Sequence, residues 1–95
     1  MYGMVQIKKQ SINVRLFAGM RQVMVADGIR DDCIEVELNE PVTIGALRTY
    51  MARRYPQLAS VLKQSLFAID HQYADDTTVV PPSASVACIP PVSGG

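Results

Sequence analysis

From Ser11 the chain alternates with a period of two: Ile12, Val14 and Leu16 against Asn13, Arg15 and Phe17. Successive side chains of a strand point to opposite faces. The pattern therefore predicts a strand with Ile12, Val14 and Leu16 on the core face and Phe17 on the other face beside Arg15. Residues 1–11 are weakly patterned, an N-terminal extension that either frays or prolongs this strand backwards through Val5 and Ile7. Residues 19–26 predict a short helix stopped by Asp27-Gly28, because glycine accepts the positive φ of a helix end or turn. Ile34, Val36 and Leu38 alternate with Glu35 and Glu37, giving a second half-buried strand. Asn39-Glu40-Pro41 breaks it.

The clearest helix follows. Thr43 is a suitable N-cap, and Ile44, Leu47 and Met51 form one apolar stripe at i, i+3 and i+7. Arg48, Arg53 and Arg54 are expected in solvent on the other side, with cations favoured at the C-terminal end of the helix dipole. Pro56 ends the helix at Tyr55. Residues 58–63 suggest one loose helical turn. Residues 66–69 form a short strand, Asp70-His71 a tight turn, and residues 72–75 an antiparallel return. After a loop at 75–78 and a break at Pro81-Pro82-Ser83, residues 85–89 form the last strand. Val86 and Cys88 share one of its faces, Ala87 and Ile89 the other. This order predicts an α+β fold, one sheet of about five strands with one main helix packed across one face. It divides the chain into the extension (1–11), the domain (12–89) and a C-terminal tail (90–95).

Composition narrows the function. The chain has 95 residues, 48% of them apolar and 19% charged, and a formal net charge of zero. Its longest basic runs are the pairs Lys8-Lys9 and Arg53-Arg54, which argues against nucleic acid, whose phosphates demand a clustered basic face. No apolar run is long enough to span a bilayer, and the N-terminus leads into no apolar signal stretch. The expected compartment is the cytoplasm. In a reducing cytosol Cys33 and Cys88, each in an apolar strand-like stretch, read as two buried thiols. There is no CxxC and no zinc set. His71 stands near Asp70 and Asp75 without a geometric ligand set, and nothing resembles a nucleophile elbow. No tightly bound cofactor or metal is expected.

Attention moves to the tail, Pro90-Pro91-Val92-Ser93-Gly94-Gly95. Two prolines hold the backbone near polyproline II and donate no ladder hydrogen bonds, so they end the last strand and push the tail off the body. Gly94 and Gly95 lack Cβ atoms and fit a channel too narrow for side chains. A free α-carboxyl is ionised at neutral pH and is a poor electrophile. It must first be activated, for instance as an acyl-adenylate made from ATP. A sulfur nucleophile that then replaces AMP leaves a thiocarboxylate. The chain is then a carried substrate and not a catalyst on its own. A bare Gly-Gly is also what a frayed end looks like.

The tail resembles the signature of molybdopterin synthase small subunits, the MoaD branch of the MoaD/ThiS sulfur-carrier family. Val14-Arg15-Leu16-Phe17-Ala18-Gly19-Met20-Arg21 resembles the family's first strand and its entry to the short helix. Thr43-Ile44, Leu47-Arg48 and Arg54-Tyr55-Pro56 resemble its main helix, and Ala68-Ile69-Asp70-His71-Gln72-Tyr73 its usual Ala-Val-Asn-Gln-Glu-Tyr type segment. The resemblance implies a ubiquitin-like β-grasp fold. It implies an E1-like adenylyltransferase that activates Gly95 with ATP, a persulfide enzyme that supplies sulfur, and a large synthase subunit that receives the tail. Sulfur then passes to precursor Z (cyclic pyranopterin monophosphate) to form the molybdopterin dithiolene of molybdenum cofactor biosynthesis. Gly94 and Gly95 carry over as the reacting end. Phe17, Tyr73 and Ile89 carry over as an apolar docking patch, Arg21 as a contact of the activating enzyme, and Pro90, Pro91, Val92 and Ser93 as tail contacts. One departure stands out: Ser83-Ala84-Ser85 replaces the family's usual Gly-Asp-Glu turn. The same tail chemistry also suits a ubiquitin-like protein modifier, or a sulfur carrier for thiamine or tRNA thiolation.

Overall fold

The computed structural model describes residues 8–17 and 33–91. The extension before Lys8, the helix expected at 19–26 with its Asp27-Gly28 stop, and residues 92–95 lie outside the described residues. The strands are β1 (Lys9–Leu16), β2 (Cys33–Asn39), β3 (Leu66–Ile69), β4 (Gln72–Ala74) and β5 (Ser85–Ile89). Between β2 and β3 run α1 (Ile44–Arg54), a 3-10 turn (Pro56–Leu58) and α2 (Ala59–Gln64). The sheet order is β2-β1-β5-β3-β4. β1 and β5 are parallel, and the other neighbours are antiparallel. This is a mixed five-stranded sheet with helices on one face, as the element order predicts, in the ubiquitin-like β-grasp arrangement that the family resemblance implies.

The core follows the alternation. Ile12, Val14, Leu16, Ile34, Val36, Val86 and Cys88 from the sheet meet Ile44, Leu47, Met51, Leu58 and Leu62 from the helical layer, all buried. Thr43 caps α1, its Oγ1 accepting from the Ala46 N–H at 3.1 Å. β1 starts at Lys9, before the alternation becomes clear in sequence. Gln10 is buried there and its Nε2 donates to the carbonyl oxygens of Val80 (3.0 Å) and Pro81 (3.3 Å). A polar residue at a core position is tolerated because its amide is satisfied. The region expected as one loose turn at 58–63 is a 3-10 turn running into α2, held by fully buried Leu58 and Leu62.

Two expectations are corrected. Cys33 is exposed, and only Cys88 is buried. Cys33 precedes Ile34, so the period of two that buries Ile34 turns Cys33 outward. Arg48 does not lie out in solvent. Its guanidinium stacks over the Phe67 ring, 4.9 Å from the centroid, and Nη1 donates to the carbonyl oxygens of Leu62 and Ser65. Those carbonyls sit at the end of α2, where a helix leaves acceptors without intrahelical partners.

Candidate functional site

The described helices cover one face of the sheet, so among the described residues the other face is where β-strand side chains stay available. Register alone builds a row across all five strands there. Cys33 opposes Arg15, Arg15 lies beside Ala87, Ala87 opposes Ala68, and Ala68 opposes Tyr73. A second row pairs Ile89 with Leu66. Phe17, one residue beyond β1, continues the parallel register in which Leu16 meets Cys88, toward Ile89. Phe17, Leu66 and Tyr73 are 40%, 53% and 72% exposed. The rows enclose an open groove of about 760 Å³ with Arg15, Phe17, Ala68, Tyr73, Ala87 and Ile89 in its lining. Small Ala68 and Ala87 form the floor, and the large side chains form the rim.

Each side chain is placed by local chemistry. Tyr73 is carried by the β3–β4 hairpin, whose turn residues Asp70 and His71 have φ of 48° and 72°. Positive φ at both central positions gives the turn twist that matches two antiparallel strands. Asp70 tolerates this region and is held there by a reciprocal pair: its N–H donates to the Ser85 carbonyl, and its Oδ1 accepts from the Ser85 N–H, both at 2.9 Å. Arg15 lies over the Phe17 ring, 5.6 Å from its centroid, and so covers part of the aromatic face. Among the described residues no three His, Cys, Asp or Glu side chains gather as a metal site. The groove combines apolar Phe17, Ala68, Ala87 and Ile89 with polar Asn13, His71 and Ser85 and the Arg15 cation. It suits a partner's surface better than the chemistry of a small substrate.

Of the sequence-derived candidates, the structure brings Phe17, Tyr73 and Ile89 together around this groove. Pro90 and Pro91 directly follow β5, Pro90 half-buried and Pro91 exposed, so the tail leaves from the strand between β1 and β3. Arg21, Val92, Ser93, Gly94 and Gly95 lie outside the described residues. Leu66, Ala68 and Cys33 were not singled out in sequence. Burial of Phe67 and Ile34 by alternation was the signal that turns them to this face.

The ThiS family model matches residues 14–95, from β1 through the Gly-Gly tail. The chain belongs to the ThiS family. Among curated ThiS-like relatives, it is 33% identical over 84 residues to the "Molybdopterin synthase sulfur carrier subunit" of Dictyostelium discoideum, covering 86% of this chain and 93% of the relative. It is 37% identical over 73 residues to the protein of the same name from Homo sapiens, covering 72% and 78%. The ThiS-family fold also recurs in solved structures. The Haloferax volcanii HVO 2177 protein superposes with a TM-score of 0.76 at 19% identity, covering 99% of this chain and all of that one. A chain in the complex of subunits 1 and 2 of molybdopterin-converting factor from Helicobacter pylori superposes with a TM-score of 0.61 at 18% identity, covering 90% and 100%. Among the described residues of this ThiS-family chain, no helix is long and apolar enough to cross a membrane.

Proposed function

We propose that this chain is the sulfur-carrier small subunit of molybdopterin synthase, acting through the carboxyl group of Gly95. The observation that carries the reading is a juxtaposition. The Gly-Gly tail that the family match includes follows β5 in sequence, and β5 also contributes Ile89 to the sheet-face groove. One docking event on the sheet face therefore orients the tail. The large synthase subunit seats on Phe17, Ile89, Leu66 and Tyr73. Pro90 and Pro91 direct the strand's continuation away from the sheet, and Val92, Ser93, Gly94 and Gly95 enter the partner's channel.

The chemistry begins with the Gly95 carboxylate attacking the α-phosphate of ATP on an E1-like adenylyltransferase. This gives the acyl-adenylate and releases pyrophosphate. The terminal sulfur of a persulfide enzyme attacks the acyl carbon and displaces AMP, giving an acyl disulfide. A second thiol then cleaves its S–S bond, releasing the thiocarboxylate and leaving a disulfide on the donor side. Each thiocarboxylate gives one sulfur to precursor Z and water returns its Gly95 to the carboxylate, so two loaded carriers are used to build the dithiolene of molybdopterin. The chain presents and positions its end, and its own side chains catalyse none of these steps.

Co-expression with an activating enzyme and a sulfur donor, followed by intact mass spectrometry, tests the reading. The expected species has oxygen replaced by sulfur at Gly95. Its absence in the presence of an activating enzyme competent on a known carrier would overturn it. Rescue of thiamine synthesis but not of molybdoenzyme activity would assign the carrier to another product, and a ladder of lysine-linked adducts would make it a protein modifier.

A further inference from the structure

The charges of this neutral chain are unevenly placed. Residues 41–69, which span the whole helical layer and β3, contain Arg48, Arg53, Arg54 and Lys63 and neither Asp nor Glu. Every acidic residue lies before or after that span. The segment's cations come from outside the docking face described above, because α1 and α2 cover the opposite face of the sheet.

Three of these cations meet at one place. A groove of about 320 Å³ lies between α1 and α2, with Ala52, Ala59 and Leu62 as its apolar lining and Arg48, Arg53 and Lys63 around it. Arg48 already donates to Asp76, a salt bridge of 2.9 Å. Among the described residues no carboxylate pairs with Arg53 or Lys63. Arg54 is held apart, its guanidinium 5.0 Å from the centroid of the Tyr55 ring. Arg53 and Lys63 each lie in the last turn of their helix, where the dipole favours a cation, and the packing of α1 against α2 brings both helix ends around the same apolar strip.

We propose that this α1–α2 groove docks an acidic peptide segment of a partner protein, one with an apolar side chain flanked by carboxylates. The apolar side chain lies between half-buried Ala52 and Ala59, above buried Leu62, and the carboxylates pair with Arg53 and Lys63. Complementarity of this kind orients the encounter as well as adding affinity. The site is separate from the sheet face and the tail, so it stays open while those are engaged. It does not depend on the sulfur-carrier reading. Nucleic acid fits less well: three cations around a pocket of this size track no phosphate backbone, and the pocket offers no aromatic surface for a base.

Amide chemical shifts of the full 15N-labelled chain, titrated with a synthetic peptide of one leucine flanked by glutamates, test the proposal. Saturable shifts confined to residues 48–63 are expected, weakening with added salt. A peptide with glutamine in place of glutamate, and the double variant Arg53→Gln/Lys63→Gln, should each bind about tenfold more weakly or worse. The unchanged spectrum of the free variant shows that it folds. No saturable shift, shifts centred on Phe17 and Tyr73, or equal binding of the glutamine peptide would overturn the proposal. Equal or tighter binding of a single-stranded oligonucleotide of matching charge would overturn it too.

Discussion

Arg48 holds Asp76 through two donors to a single oxygen: Nε at 3.2 Å and Nη2 at 2.9 Å from Oδ1. The two residues differ in exposure, 20% for the arginine side chain and 57% for the aspartate. The same guanidinium reaches inward to the carbonyls of Leu62 and Ser65 and lies on Phe67. It joins α1 to the end of α2, to β3 and to the loop before β5.

That asymmetry predicts unequal costs. Arg48→Met strips partly buried carbonyls of their donor and should cost about 2–3 kcal/mol in urea unfolding. Asp76→Asn removes only the outer, solvated half and should cost less than about 1 kcal/mol. Arg48→Lys should recover little, since an ammonium cannot span the carbonyls and the carboxylate at once. Equal losses for the two positions would show that the ion pair, and not the inward bonds, matters.

Charge placed on the outer sheet face should separate binding from folding. Phe17→Asp and Tyr73→Asp alter exposed positions and should change stability by no more than about 0.5–1 kcal/mol. Each should weaken binding of a molybdopterin synthase large subunit by about tenfold or more, read by calorimetry, because a desolvated aromatic anchor is lost. Undiminished binding would remove this face from the docking surface.

Ser83 has a φ of 66°, in the left-handed region, at the place where the family resemblance puts a glycine. Ser83→Gly should relieve the side chain's clash and stabilise the domain by up to about 1 kcal/mol, offset in part by the freer unfolded chain. Thermal unfolding checks this. Ser83→Val should move in the opposite direction, because a β-branched residue fits that region worst.

The two thiols should behave differently. Cys33, exposed, should react with a disulfide reagent in the native protein near neutral pH. Cys88 should react only on unfolding. Burial pushes the Cys88 thiol up from 9.0 to about 12, against smaller opposing effects of Ser65 and Arg48. A raised folded pKa means that the unfolded chain holds fewer protons between pH 9 and 12. Stability from this group is therefore complete below pH 9 and falls as pH rises through that window. Cys88→Ala should flatten that alkaline decline in denaturant midpoints.

Local pattern made the strands legible, and with them the site. The alternation around Ile12 and Val86 placed Phe17 and Ile89 on the uncovered face before any contact was known. Thr43 announced its helix through a bond to a residue three positions on. What stayed hidden depends on distant partners. Gln10 looks like a polar strand residue until Val80, 70 positions away, accepts its amide. Arg48 looks solvated until the end of α2 comes within its reach. Cys33 reads as buried from its apolar neighbours, although its parity with Ile34 already turned it outward. Ala68 joins the groove, and Leu66 comes beside Ile89, only because β3 pairs with β5, a long-range choice that neither segment encodes alone.

The position of β5 between parallel β1 and antiparallel β3 has a mechanical consequence. A partner that tugs on the tail along its axis pulls β5 lengthwise between two neighbours. The hydrogen bonds on both sides then share the force in shear, and none opens first as in a peeled edge strand. Tension applied to the chain after β5 thus meets a domain that acts as a stiff handle.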